Sequence, residues 1–450
     1  MHVDKIMARR LLFGSPVVHG IHMLLWVLDC WITKKKKVVE LSAINSTFIK
    51  PLNVGNEVSL INYSSNDKHE KIELSSNGVV LTKIDFVWDY CNKRSSSFIK
   101  SNNPRKIKPK IITKEKIESE SGEIELYLNI ESADKLFPNL VRYFSNLQIA
   151  TLLASTRLVG TRCPGMFSIY SEINLLFNDY KISDQLKYKV AKFDSRFNLV
   201  SMQISGPYVN GIIKSFIRPK EVKQDHFIAI RKNVKKNEFK RQSAIIIGGS
   251  RGLGEVAAKL LAAGSADIKL SYNNGEEDAK NIVNDINSNG GSADYFNYDV
   301  LSPNEQSLKK VLNDWSPTHL YYFATPFIFS GIKGKFSDNI FRKFCEYYVS
   351  GFNEIMNILI PTGLKRVFYP STIAIDEKPP DMGEYVSAKL AGEILCQYFE
   401  KNYSMIKIYK PRLPRMETDQ TVSLFSVVNS NPIPIQLEHL RIFRDQYEIQ

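Results

Sequence analysis

Tyr385 and Lys389 stand four positions apart in GEYVSAKLAGE, a stretch with helical periodicity. On a helix that spacing puts a phenol and an ammonium on one face, one turn apart. A nearby cation favours the phenolate, so the pair predicts a tyrosine tuned for proton transfer near neutral pH. Ser371 closes the strand-like run RVFYPST upstream and is placed to hydrogen-bond a substrate oxygen. Further upstream, Ser243–Gly254 reads SAIIIGGSRGLG and leads into EVAAKLLAAG: an apolar run, a glycine-rich turn, then helical periodicity. That order sets a pyrophosphate on a helix N-terminus. Gly248, Gly252 and Gly254 let the backbone approach the phosphates, with Ser250 and Leu253 in the same turn. Each motif alone is commonplace, since most Tyr-x-x-x-Lys tetrapeptides are ordinary helix surface. Their joint order, with the pair correctly spaced after a glycine turn, is what favours a catalytic site over ordinary surface.

The elements needed to position these groups are present. Segment 242–450 alternates strand-like and helical stretches, the signature of a parallel doubly wound sheet. From about Ser243 to Thr421 it resembles the short-chain dehydrogenase/reductase family, and particularly the 3-oxoacyl-thioester ketoreductases. GGSRGLG is similar to the family's TGxxxGxG, with Ile247 in place of Thr. The resemblance implies that Asp299 and Val300 touch adenine, that Ala324 in Phe323-Ala324-Thr325 lines the cofactor, and that Pro411 opens a segment closing over nicotinamide. It assigns Ser371, Tyr385 and Lys389 as the catalytic set, Lys389 also holding the cofactor. Two departures stand out. Tyr348, in YYVSGF, occupies the place of an asparagine that supports the proton relay, and the Asn-Asn-Ala-Gly element is largely replaced.

Charge bears on the choice of cofactor. IKLSYNNGEED puts Tyr272 and Asn273 where an NAD-specific protein presents an acid to the ribose hydroxyls. Arg251, in the glycine turn, is placed to meet a 2′-phosphate, though a solvated turn residue reads the same way. NADP(H) is therefore expected over NAD(H), and no metal is implied.

The N-terminal stretch MHVDKIMARRLLFGSPVVHGIHMLL, continued by STFIKPLNVGNEV, resembles the MaoC-like R-specific enoyl-thioester hydratases of the hot-dog fold. The matching elements are His2 and Asp4, the turn Phe13–Pro16, His19-Gly20 opening a long helix, and Phe48, Pro51 and Gly55. The resemblance implies an Asp and, five residues later, a His that together activate water. The His carries over to His2, whereas the Asp would precede Met1 and is absent as written, as is the family's first strand. His19 and His22 are expected to cap and pack the helix. RLVGTRCPGMFSIYSEINLLF is similar to the companion hot-dog half and has no Asp…His pair. Arg162, Cys163 and Ser168 are placed to contact an acyl-carrier arm, or else form a structural turn. Beside Arg162, the Cys163 thiol is open to a lowered pKa.

These readings divide the chain into hot-dog segments 1–105 and 115–220, a basic linker over 221–241, and the reductase segment 242–450. Each of the first two has one helix followed by several strands, which suggests tandem duplication. The expected fold class is an α+β double hot dog followed by an α/β Rossmann-like doubly wound parallel sheet.

Composition sets the outer limits. Of 450 residues, 43% are hydrophobic, which excludes a mostly disordered chain. Lys+Arg of 60 against Asp+Glu of 47 gives a net charge of +13, so an anionic partner is expected. Cys30, Cys91, Cys163, Cys345 and Cys396 are scattered without a CxxC, against a disulfide scaffold or thiolate zinc site and for a reducing cytoplasm. Leu11–Ile32 is apolar but carries Gly14, Pro16, His19, His22 and Asp29, which favours a buried helix over a membrane span. No nucleic-acid module is recognisable.

The expected activity is NADPH-dependent reduction of a 3-oxoacyl-CoA or acyl-carrier-protein thioester, coupled to dehydration or hydration by the hot-dog region. The alternative is a reductase whose hot-dog region only binds or assembles. A homodimer or higher homo-oligomer in the cytoplasm is expected, with no nucleic acid and no membrane span.

Overall fold

The computed structural model describes residues 4–35, 37–66, 68–91, 107–178, 184–303, 305–425 and 427–448. Two units form: Met1–Lys220 with Ser423–Ser426, and Glu221–Val422 with Val427–Gln450.

In the first unit, helix α1 (Gly20–Ile32) buries Ile21, Met23, Leu24, Leu25, Val27, Leu28, Trp31 and Ile32. A helix apolar on nearly every side belongs inside a core. Among the described residues, no helix is long and apolar enough to cross a membrane. The one acid in α1, Asp29, accepts from the Leu140 N–H at 2.7 Å and the Asn139 amide at 3.2 Å, so it caps the short helix Pro138–Tyr143. Gly20 is needed where it stands, because a Cβ there would lie 2.9 Å from the Phe48 ring.

Strands β1 (Val39–Phe48), β2 (Ser59–Asn66), β3 (His69–Ser76) and β4 (Val79–Tyr90) follow α1. Along β4, Ile84, Phe86 and Trp88 are buried while Lys83, Val87 and Asp89 face out, the two-residue alternation of a half-buried sheet. Trp31 of α1 meets Phe86 and Trp88 edge-on at 4.8 and 5.2 Å. The second half runs β5 (Ser121–Glu125), helix α2 (Asn146–Thr161), β6 (Ser168–Phe177), β7 (Gln185–Asp194), β8 (Leu199–Ser205) and β9 (Val209–Ile217).

Segments 1–105 and 115–220, read from sequence as two domains, share one nine-stranded antiparallel sheet of order β2-β3-β4-β1-β6-β9-β8-β7-β5. Their seam is β1 against β6, from Ala43↔Leu176 to Thr47↔Glu172. Each of those strands is the first after its half's long helix, so equivalent strands meet. Gln148 of α2 locks the seam from above, bonding both the N–H and the C=O of Leu41.

The second unit is a parallel sheet built from β10 (Ser243–Ile247), β11 (Asp267–Tyr272), β12 (Ser292–Asn297), β13 (His319–Tyr322), β14 (Arg366–Phe368) and β16 (Lys407–Tyr409). Its order, β12-β11-β10-β13-β14-β16, is that of a doubly wound dinucleotide-binding sheet. The β10 core (Ala244–Ile247) and β13 are fully buried, as strands covered on both faces must be. Helices α3 (Gly252–Ala263), α4 (Glu276–Asn287), α5 (Glu305–Asn313), α6 (Asp338–Cys345), α7 (Gly351–Leu359), α8 (Gly383–Asn402) and α9 (Pro432–Glu448) complete it. A small parallel pair, β15 (Ser371–Thr372) with β17 (Arg412–Leu413), extends past β14 and β16.

The stretch read as a basic linker, 221–241, is part of this unit rather than a free connection. Phe227, Ile230 and Phe239 are buried in its core. Glu238 is clasped by Arg441 and Arg444 of α9, at 2.6 and 3.0 Å. Apolar side chains spaced among the bases anchor the segment, and the lysines stay in solvent.

Candidate active site

Neighbouring parallel strands end at the same edge, so the turns after β10, β13, β14 and β16 gather at one lip of the sheet, where open α/β sheets bind ligands. The turn after β10 is tight. Gly248 has φ +84° and Gly252 φ +55°, a region in which side chains are strained. A Cβ on Gly248 would lie 2.7 Å from the Ala324 nitrogen, so the chain after β13 passes close against the turn. A Cβ on Gly254 would run into the Gly248 carbonyl oxygen. Ser250 is buried, and Arg251 at the N-cap of α3 makes no side-chain cap bond. A tight glycine turn leading into a helix start not capped by a side chain is what a pyrophosphate cradle uses.

Tyr385 and Lys389 lie near the start of α8, both buried. Thr372 is the side chain that bears on the tyrosine hydroxyl, favouring its ionised form, and its Oγ1 accepts the Ala374 N–H at 3.2 Å. Ser371 faces elsewhere. Its hydroxyl donates to the Glu393 carboxylate at 2.5 Å, and Glu393 is held by Arg412 at 3.0 and 2.8 Å. Adjacent residues of a strand point to opposite sides, so only one of the two hydroxyls can meet the tyrosine. The structure brings Thr372 to Tyr385, whereas the sequence reading named Ser371. Ser371 instead ties β15 to α8 through Glu393 and to β17 through Arg412.

The electrostatics also depart from expectation. Burial pushes the Tyr385 phenol up to about 12, with Thr372 opposing. Burial likewise pushes the Lys389 ammonium down to about 7, with Cys396 and Glu393 opposing. A cation-lowered phenol is therefore not what the free protein holds. Lys389 Nζ is bonded to the Pro370 carbonyl at 2.8 Å, and loss of water around both groups outweighs their mutual effect.

The remaining expected cofactor contacts fall as follows. Asp299 closes an Asx turn by accepting the Leu301 N–H, and Val300 is buried against Gly351. The Tyr347 phenol is raised by burial and then by Asp299, with Arg251 opposing. Pro411 accepts the Ser371 N–H at 2.8 Å. Asn273 is exposed at the end of β11, its carbonyl taken by Asn297. Beside it, the Tyr272 phenol is raised by burial and then by the Glu276 charge. Arg251 is not a solvated turn residue: it pairs with buried Asp419 at 2.8 Å. Leu253 is half-buried, its carbonyl accepting from Gln436 at 3.0 Å.

No family model matches the sequence, and no curated protein matches it significantly. Solved structures do show a likeness. An alcohol dehydrogenase from the archaeon Thermococcus sibiricus, complexed with 5-hydroxy-NADP, is 21% identical, covers 45% of this chain and 89% of its own, and has a TM-score of 0.40. A short-chain dehydrogenase from Shigella flexneri is 17% identical, with coverages of 47% and 88% and a TM-score of 0.41. The angucycline C-6 ketoreductase LanV with bound NADP is 17% identical, with coverages of 47% and 91% and a TM-score of 0.41. Likeness at that level carries no functional weight, and the fold assignment rests on the sheet order given above.

The first unit gathers less chemistry. His2 lies outside the described residues. Asp4 caps the short helix Lys5–Ala8, accepting from Ile6 and Met7. His19 occupies the N-cap position of α1 but its side chain makes no cap hydrogen bond, whereas His22 packs on Phe137 at 5.0 Å with its pKa lowered by burial. Cys163 corrects the sequence reading. It is fully buried, and desolvation followed by Glu120 pushes the thiol up to about 12. Adjacency to Arg162 in sequence does not offset the loss of water.

Proposed function

We propose that the second unit is a nicotinamide-dependent carbonyl reductase acting on a 3-oxoacyl thioester of CoA or acyl carrier protein, and that the first unit binds the acyl thioester. One observation carries the reductase reading. Tyr385 and Lys389 are buried one turn apart on α8, with Thr372 bearing on the tyrosine hydroxyl, at the sheet edge that also bears the glycine turn. A bound reduced nicotinamide supplies the hydride that attacks C3 of the substrate. The former carbonyl oxygen takes the electron pair of the C=O bond and the Tyr385 proton, giving the 3-hydroxyacyl form. Thr372 holds the tyrosine hydroxyl and stands beside the substrate oxygen. Lys389 contributes positive charge to the proton-donating end. Gly248, Ser250, Gly252 and Gly254 seat the pyrophosphate on the start of α3. NADP(H) is preferred because Tyr272 and Asn273 end β11 where an acid would serve NAD. For Arg251 to reach a 2′-phosphate, its pair with Asp419 must open.

The binding role of the first unit is supported by its strand order. In the second half, α2 lies between the first strand, β5, and β6, and the strands run β5-β7-β8-β9-β6. The first half repeats the order of those last four strands as β2-β3-β4-β1, as a hot-dog pair would. We assign it no hydratase step, since Asp4 caps the helix Lys5–Ala8 and His22 packs on Phe137.

Parallel variants at the adjacent hydroxyls test the site. Thr372→Val is expected to lower the rate of 3-oxobutyryl-CoA reduction by about 10²-fold, the effect of losing one hydrogen bond at a developing charge. Ser371→Ala is expected to leave the rate within several-fold. Rates unchanged in both variants would remove the site, and the reverse pattern would restore Ser371 as the reacting hydroxyl.

A further inference from the structure

The helix running from α6 into α7 is interrupted by one π-helical turn, Glu346–Ser350, which frees carbonyls from their usual partners. Tyrosine hydroxyls fill those places: Tyr369 donates to the Tyr348 carbonyl at 3.0 Å and Tyr322 to that of Tyr347 at 2.5 Å. The same turn aims the Tyr348 ring at Lys389, whose Nζ lies 4.0 Å from the ring centroid. Tyr369 presents a second ring at 5.1 Å. Neither ring is free to drift. The Tyr348 hydroxyl is bonded to Thr325 at 2.5 Å, and Tyr369 stacks on Tyr322 at 6.1 Å. Gly392 lets the Tyr369 hydroxyl come close, because a Cβ there would collide with it.

We propose that Tyr348 is a positioning residue for Lys389: with Tyr369 it forms an aromatic clamp that holds the ammonium as a cation where water is excluded. This rests on the reductase reading for its catalytic meaning, although the clamp is built from this chain's own residues alone. An ammonium has three donors, and the Pro370 carbonyl takes one. Ring faces attract the rest of the charge through their quadrupoles, and most strongly where the cation is desolvated. The groups bearing on Lys389 can be named from each side. Tyr385, Glu393 and Cys396 belong to its own helix, with Glu393 already held by Arg412 of β17. Tyr369 and the Pro370 carbonyl come from the end of β14, and Tyr348 from the π-turn. Burial lowers the Lys389 pKa, so any charge retained near neutral pH depends on these contacts.

The test is NMR of the full chain carrying lysine labelled with ¹³C at Cε, with Lys389→Met identifying the signal. In the wild type, the Lys389 ε-protons are expected at lower frequency than those of other lysines, because of the ring currents, and to titrate near pH 7. Tyr348→Phe keeps the ring and should preserve both properties. Tyr348→Leu should shrink the displacement and lower the midpoint by about one pH unit, the size of a desolvated cation–π contact. A wild-type signal among ordinary lysines with a midpoint near 10, a Leu variant that changes neither property, or a Phe variant that changes both would overturn the clamp. Failed hydride transfer with this NMR pattern intact would refute the reductase reading and leave the clamp standing.

Discussion

Replacing Tyr385 by phenylalanine is expected to cut 3-oxobutyryl-CoA reduction by about 10²- to 10⁴-fold, the usual contribution of a positioned proton donor. The ring should stay in place, because its packing does not need the hydroxyl. Phe344 meets it edge-on at 5.6 Å and Tyr348 at 5.8 Å. Loss of activity with unchanged stability would then report chemistry rather than folding. The phenol raised to about 12 also fixes a sign. The protonated form prevails through neutral pH, which suits a donor in reduction and disfavours the phenolate that oxidation of a hydroxyl requires. Oxidation of 3-hydroxybutyryl-CoA should therefore be slow at pH 7 and quicken as pH rises. Measuring both directions across pH, in wild type and variant, checks the pair of expectations. A Tyr385→Phe rate equal to wild type would exclude it as the donor.

Gly254→Ala should have the second largest effect. The added methyl would meet the Gly248 carbonyl oxygen, which is backbone and cannot rotate away. Overpacking of this kind costs about 1–3 kcal/mol, and if the turn opens to relieve it, cofactor affinity falls by about 10- to 100-fold. Gly160→Ala in α2 is the contrast, because a Cβ there meets nothing within 4 Å. Inside a helix that change should be neutral or stabilise by up to about 1 kcal/mol. NADPH titration by fluorescence, with thermal unfolding alongside, distinguishes the two. Equal affinity in the Gly254→Ala protein would remove the turn from the cofactor site.

What the sequence disclosed were groups whose meaning is local. The glycine spacing at 248, 252 and 254 requires a close turn, and Tyr385 with Lys389 requires one helix face. The alternation of strand and helix over 242–450 requires a parallel sheet. Partners distant in sequence were hidden. Arg251 meets Asp419, and Lys389 meets Tyr348 and Tyr369, through tertiary packing that no spacing reveals. Ser371 and Thr372 are chemically near-equivalent neighbours, and only the strand's orientation toward α8 separates them. Cys163 shows the limit of adjacency, since burial outweighed the neighbouring guanidinium. The segment 221–241 did carry a readable signal in Phe227, Ile230 and Phe239, which a freely solvated linker has no use for.

Transfer of label from NADPH deuterated at C4 to 3-oxobutyryl-CoA tests the central claim most directly. The intact chain should yield 3-hydroxybutyryl-CoA with one deuterium at C3, and Tyr385→Phe should yield almost none. A wild-type chain that binds NADPH yet transfers no label to the thioester would contradict the account.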